Sequence, residues 1–150
     1  MKILVAYDGS PAAEAAVAEV AARPWPAGSE IRVVTVVERP MATPPPNGIE
    51  IYAPLYERMR ASLREEAYRR VQSALERLGG LKGVQASYEL RDGDVKDALL
   101  SAIREWDADL VVAGSRGVSG LARLVLGSVS HALVTHAPCS VEIVKTRSKG

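Results

Sequence analysis

Runs of apolar residues alternate with amphipathic stretches along the chain, and the alternation predicts nine elements. Residues 3–7 are continuously apolar, the pattern of a strand buried on both faces. Asp8-Gly9-Ser10-Pro11 follows, with Ser10 as an N-cap, Pro11 at the first helical position and Glu14 as a first-turn acid. The pattern predicts a helix over residues 11–22, with Val17 and Val20 among its apolar positions, stopped by Pro24 and Pro26. Residues 31–37 are dense in β-branched side chains and form the second strand. Residues 39–54 carry five prolines and no helical period, and read as a long surface connection, a lid or partner surface rather than a spacer, with a disordered excursion as the alternative.

Leu55, Met59, Leu63, Ala67, Val71, Leu75 and Leu78 then recur at spacings of three and four. They predict a long amphipathic helix, its apolar stripe in the core, ended by Gly79-Gly80. Residues 84–90 alternate as a third strand, and Asp92-Gly93-Asp94 is a turn. Asp94 is an N-cap, with Asp97 three residues on, for a helix that carries Val95, Ala98, Leu99, Ala102 and Ile103 inward and ends near Trp106. Residues 110–113 are the fourth strand. A last helix starts at Gly127-Ser128 and ends near His136, and residues 141–144 are the fifth strand before a basic tail.

Strictly alternating strands and helices, with near-continuous apolar strands, predict a parallel sheet covered by helices on both faces. Right-handed crossovers make it a three-layer, doubly wound α/β fold with a switch point, where ligands bind at the carboxyl ends of the strands. The 150 residues suit one domain spanning 1–150. The formal net charge of +1 provides no field favouring nucleic acid or a membrane surface. The single cysteine, Cys139, excludes an internal disulfide framework and reads as a small buried hydrophobe. The N-terminal apolar run meets Asp8 too soon for a signal peptide, and no run approaches a bilayer's width, so a cytoplasmic location is expected.

Two features lie at the carboxyl ends of strands. One is Asp8, after the first strand. The other is Gly114-Ser115-Arg116-Gly117, after the fourth, continuing to Gly127-Ser128-Val129-Ser130. A strand, a glycine-rich loop and a helix N-terminus together make an anion site, usually for phosphate. Taken singly, the glycine stretch is equally a plain surface loop, and Asp8 is a turn residue bonding the next helix. If strands 1 and 4 are neighbours, both features face one crevice. A carboxylate on one wall can then accept hydrogen bonds from ribose hydroxyls while amides and hydroxyls on the other hold phosphates. No G-x-G-x-x-G follows the first strand and no G-x-x-x-x-G-K-[ST] occurs, which argues against dinucleotide and Walker sites. Phosphate charge would fall to amides, the helix dipole, Ser128, Ser130, a metal ion, and Arg116 or Arg123. His131 and His136 lie five apart, too far round the helix for one face, and make no catalytic pair.

Gly114-x-x-Gly117, nine residues, then Gly127-Ser128 resembles the G-2x-G-9x-G-[ST] signature of the ATP-binding branch of the universal stress protein family. The opening residues 3–10 and the closing His136-Ala137-Pro138-Cys139-Ser140-Val141 are similar to that family's ends. The resemblance implies a five-stranded sheet in the order 3-2-1-4-5. It implies that Asp8 holds ribose and that Val36 lies against adenine through its backbone. Gly114, Gly117, Gly127, Ser128 and Ser130 would surround ribose and phosphates, with Val129 offering its N–H. The strand-end residues Ala6 and Ala113, together with Arg116, complete the candidate set. ATP, with Mg²⁺ or Mn²⁺, is the implied ligand. A homodimer through the fifth strand, by Val141 and Ile143, is the implied assembly, since pairing would cover an open edge. Arg116 stands where many members carry His, and Glu142 makes the last strand less apolar than usual.

The expected function is therefore a nucleotide-dependent stress-response or signalling module with little or no hydrolysis, since no general base is placed for attack on phosphorus. Two alternatives stay open. One is a slow ATPase or nucleotide-processing enzyme of related architecture. The other is a dimeric scaffold that binds no nucleotide. The sequence leaves undetermined which adenine nucleotide is physiological, the stress signal and the downstream partner.

Overall fold

The protein is seen here in a computed structural model that describes residues 1–39, 49–117 and 126–146. The elements are β1 (Lys2–Ala6), α1 (Pro11–Ala21), β2 (Ser29–Val37), α2 (Ile49–Leu78), β3 (Val84–Asp92), α3 (Val95–Trp106), β4 (Leu110–Gly114), α4 (Ser128–His136) and β5 (Ser140–Val144). The strands form one sheet in the order β3-β2-β1-β4-β5, and every pairing is parallel. This is the expected doubly wound α/β fold, and β1 and β4 are neighbours.

Right-handed connections running β1 to β2 to β3 put α1 and α2 on one face, and the return to β4 puts α3 and α4 on the other. The core divides accordingly. Ile3 and Val5 pack with Val17 and Val20 of α1 and with Val71, Ala74 and Leu78 of α2. Leu4 and Ala6 pack with Leu99, Leu100 and Ile103 of α3 and with Leu133 of α4. The continuous apolar run of β1 follows from this burial on both faces. Burying a side chain of this size stabilises by roughly 1.5–3 kcal/mol. The Tyr7 hydroxyl, below the sheet's carboxyl edge, donates to Glu14 of α1, and Arg77 of α2 donates to the other Glu14 oxygen at 2.6 Å. Burial first, then the hydrogen bond to Glu14, push the Tyr7 phenol well above its ordinary pKa.

The expected loop over 39–54 is shorter than the proline count suggests. Helix α2 begins at Ile49 and contains Pro54. Proline's fixed φ is helical, and Pro54 gives up one bond, to the Glu50 carbonyl, within the first two turns. Residues 40–48 of that expectation lie outside the described residues.

The expected core stripe of α2 also divides. Ala67, Val71, Ala74 and Leu78 are buried, but Leu55 is 54%, Met59 42% and Leu63 39% exposed. The reason is length. Thirty helical residues span about 45 Å, whereas nine strand residues span about 30 Å. The N-terminal half of α2 therefore runs past the carboxyl edge of the sheet. Arg60 and Arg64 tie that half down, donating to Asp92 at the end of β3 at 3.2 and 2.7 Å. Cys139 is half-buried rather than fully buried, because it precedes β5 at the margin of the α3–α4 core.

Candidate functional site

The carboxyl ends of β1 and β4 open into a cleft of about 720 Å³. Ala6 and Ala113 are register partners at its floor, and both line it. Asp8 leaves β1 in a tight turn whose Gly9 has φ +77°, a conformation that other residues rarely adopt. One Asp8 carboxylate oxygen accepts the Ser10 N–H at 2.9 Å. The other lies 3.0 Å from where a Cβ on Gly117 would sit. The β1 turn and the β4 loop are thus in contact, with no room for a side chain between them.

Ser10 joins the two walls. Its hydroxyl caps α1 by accepting the Ala13 N–H at 3.2 Å, and it donates to the Arg116 carbonyl at 3.3 Å. The capping role was legible in the sequence, but the bond across the cleft needed the β1–β4 adjacency.

On the β4 side, Gly114 has a packing reason to be glycine. A Cβ there would lie 2.5 Å from the Ala12 carbonyl carbon of α1. Ser115 is buried, donates its N–H to Val144 of β5, and accepts the Gly127 N–H on its carbonyl at 2.8 Å. That last bond returns the chain to the cleft for α4. Gly127 stands behind the cleft lining, against the Ser115 carbonyl and the Arg116 Cα. Ser130 is buried and donates to the Gly114 carbonyl at 2.7 Å, so its hydroxyl holds α4 to the end of β4. Ser128 is exposed, Val129 is half-buried, and both line the cleft with Arg116 and Gly117. Arg123 lies outside the described residues.

The start of α4 differs from those of α1 and α3. Ser10 caps α1 and Asp94 caps α3, the latter accepting the Lys96 and Asp97 N–H groups. Gly127, at the N-cap of α4, brings no side chain to cap its first turn. The first bond within the helix is His131 N–H to Gly127 carbonyl, so the helix supplies no partner to the amides of Ser128, Val129 and Ser130. An uncapped helix start on a cleft wall is an anion site in geometry and in charge.

Other walls escaped the sequence reading. Val36, a candidate from the sequence, is half-buried at the end of β2 and lines the cleft, and Thr35 beside it donates to the Tyr7 carbonyl at 2.7 Å. Helix α2 adds Leu63, Glu66, Ala67 and Arg70, and the start of α3 adds Asp94, Val95 and Lys96. Nothing in a helical period separates Arg70 from the other arginines of α2. The packing of α2 against the β1 turn brings it here, beside the buried Ala67 and Val71 and over Gly9. Among the described residues no group of three or more His, Cys, Asp and Glu side chains is arranged to hold a metal ion. No helix among them is long and apolar enough to cross a membrane.

Comparison with known proteins agrees with this geometry. Residues 1–145 match the universal stress protein family. Universal stress protein YxiE of Bacillus subtilis (strain 168) is 30% identical over 146 residues, which cover 96% of this chain and 98% of YxiE. The solved universal stress protein UspA from Lactobacillus plantarum superposes with a TM-score of 0.83 at 23% identity, covering 96% of this chain and 97% of that one. A universal stress protein family protein from Arabidopsis thaliana, solved with AMP bound, superposes with a TM-score of 0.69 at 20% identity, covering 99% of this chain and 93% of that one. The structural likenesses establish the shared fold. The family match, over nearly the full length, establishes descent: this chain belongs to the universal stress protein family.

Proposed function

We propose that this protein binds ATP in the cleft between β1 and β4 and uses it as a conformational signal, with little or no turnover. The observation that carries the reading is the juxtaposition of the Asp8 carboxylate with the Gly117 backbone, beside the uncapped start of α4. Asp8 accepts the ribose hydroxyls, the Val36 backbone lies along adenine, and the phosphates meet the amides of Ser128 and Val129. Gly114 and Gly127 shape the loop, Ser130 fixes α4 against it, and Arg116 adds charge at its rim. The AMP found in the Arabidopsis relative supports an adenine nucleotide as ligand.

The donors present fit a metal that travels with the nucleotide. Mg²⁺ or Mn²⁺ keeps several waters and takes phosphate oxygens with few protein ligands, and Ser128 is the hydroxyl placed to join them. The metal would neutralise phosphate charge that no P-loop lysine meets. Low turnover is supported by the engagement of two of the cleft's carboxylates: Asp8 accepts the Ser10 amide and Asp94 caps α3. The protein works as a homodimer joined along β5, whose Val141 and Ile143 flank an edge that β4 pairs on one side only.

The test is ligand-induced stabilisation. ATP with Mg²⁺ should raise the melting temperature, by mass action amounting to about 2.7 kcal/mol at a hundredfold excess over Kd. Asp8→Ala should remove most of that shift without unfolding the protein. No shift at millimolar ATP, with no nucleotide retained on purification, would replace this reading with the dimeric scaffold. Rapid multiple turnover would replace it with an enzyme.

A further inference from the structure

We propose that Arg70 of α2 reads the number of phosphates on the nucleotide, favouring the triphosphate over the monophosphate. The inference rests on the nucleotide reading of the cleft and names a discriminating residue that the glycine signature does not contain.

Arg70 lies across the turn that carries Asp8. Its Nη1 points to the Asp8 carbonyl at 3.5 Å, and its Cδ and Nε would lie 3.1 and 3.6 Å from a Cβ on Gly9. Gly9 is therefore small for two reasons, its positive φ and the arginine stem laid over it. The guanidinium lines the cleft, and its side chain is 48% exposed, so it has both access and room to turn. Arg116 lines the opposite wall, on the β4 loop. Arg39 and Lys96 line the cleft too, but Arg70 is the cation laid over the Asp8 turn, where ribose binds in the proposed function. The amides of α4 suffice for the first phosphate of a chain leaving that ribose. Further phosphates that fold back over the Asp8 turn bring their extra negative charge to Arg70, which lies across that turn.

Arg70 is held in reserve by Glu66, four residues earlier on the same helix. Such an exposed pair is weak, because solvent screens it and two long side chains must be ordered. A guanidinium meeting phosphate oxygens makes charge-assisted, two-pronged contacts that are stronger. Exchange of Glu66 for a terminal phosphate is thus favourable, whereas AMP offers no group at that distance and leaves the pair intact. A lysine would supply charge without the fork, so the discrimination belongs to arginine specifically.

Titration calorimetry with AMP, ADP and ATP, each with Mg²⁺, tests this on the wild type, Arg70→Met, Arg70→Lys and Glu66→Gln. Arg70→Met should weaken ATP about tenfold or more while AMP stays within about twofold, and Arg70→Lys should fall between. Glu66→Gln, which releases Arg70, should raise the ratio of ATP to AMP affinity. An unchanged ratio in Arg70→Met, or equal loss of both ligands, overturns the assignment and leaves the nucleotide site standing. Should Arg70→Met not fold, Glu66→Gln decides alone: the ratio rises or the assignment fails. Wild-type protein that binds none of the three nucleotides overturns both readings together.

Discussion

Gly114 and Ser130 show how far a single position can carry two meanings. Both read from the sequence as phosphate-facing groups. Gly114 meets the backbone of Ala12 and Ser130 spends its proton on the Gly114 carbonyl, so their first task is to clamp β4, α1 and α4 around the cleft. Gly114→Ala would drive a methyl to 2.5 Å from a backbone carbon that no rotamer change can move. We expect a loss of about 1–3 kcal/mol in denaturant unfolding, the range for overpacking a tight site. A Gly114→Ala protein as stable as the wild type would show that α1 can retreat from β4.

At the scale of elements, α2 departs furthest from its sequence pattern, since one apolar stripe serves core along half its length and overhang along the other. Asp92 fixes the overhang. Desolvation pushes its carboxyl up, but the hydrogen bonds and charges of Arg60 and Arg64 outweigh this and hold it below the ordinary 3.8. A depressed carboxylate contributes stability that is complete above its unfolded pKa and is lost as pH falls through the folded one. Asp92→Asn should therefore cost about 1 kcal/mol near neutrality, discounted for the solvent screening of half-exposed arginines. The gap should close as pH is lowered below about 4. Unfolding curves of the two proteins from pH 7 downward check both arms, and a gap that does not narrow as pH falls below about 4 would mean packing, not charge, holds α2.

At the scale of the whole molecule, β3 and β5 end the sheet among the described residues. Glu142 of β5 is not available to blunt its edge by repulsion, because Arg23, just after α1, binds it through two hydrogen bonds of 2.7 and 2.6 Å. With Glu142 neutralised and Val141 and Ile143 packed on the α3–α4 core, the proposed dimer would pair through the backbone edge of β5. Light scattering should accordingly give twice the 16.0 kDa of the chain, and a monomer at micromolar concentration would remove β5 from the account.

The element order, the parallel sheet and the two walls of the cleft were legible in the residues. Strand burial writes itself as unbroken apolar runs, and glycine, serine and proline mark where the backbone turns. The limits of that legibility fall at particular places. Pro54 reads as a break because its effect depends on how much helix precedes it. Leu55 to Leu63 read as core because periodicity reports a face and says nothing of what lies opposite. Arg70 and Ser10 enter the site through contacts 62 and 106 residues away in sequence, which no local pattern encodes. What the sequence by itself determined was the alternating α/β class and the presence of an anion-ready loop and a carboxylate at strand ends, because these arise from short-range periodicity and turn chemistry. That the two face each other rests on the strand order, which the resemblance implied and the sheet shows. Which groups close the cleft, and which of the expected ones hold the scaffold instead, was decided by tertiary packing, because a 45 Å helix laid on a 30 Å sheet must overhang at one end.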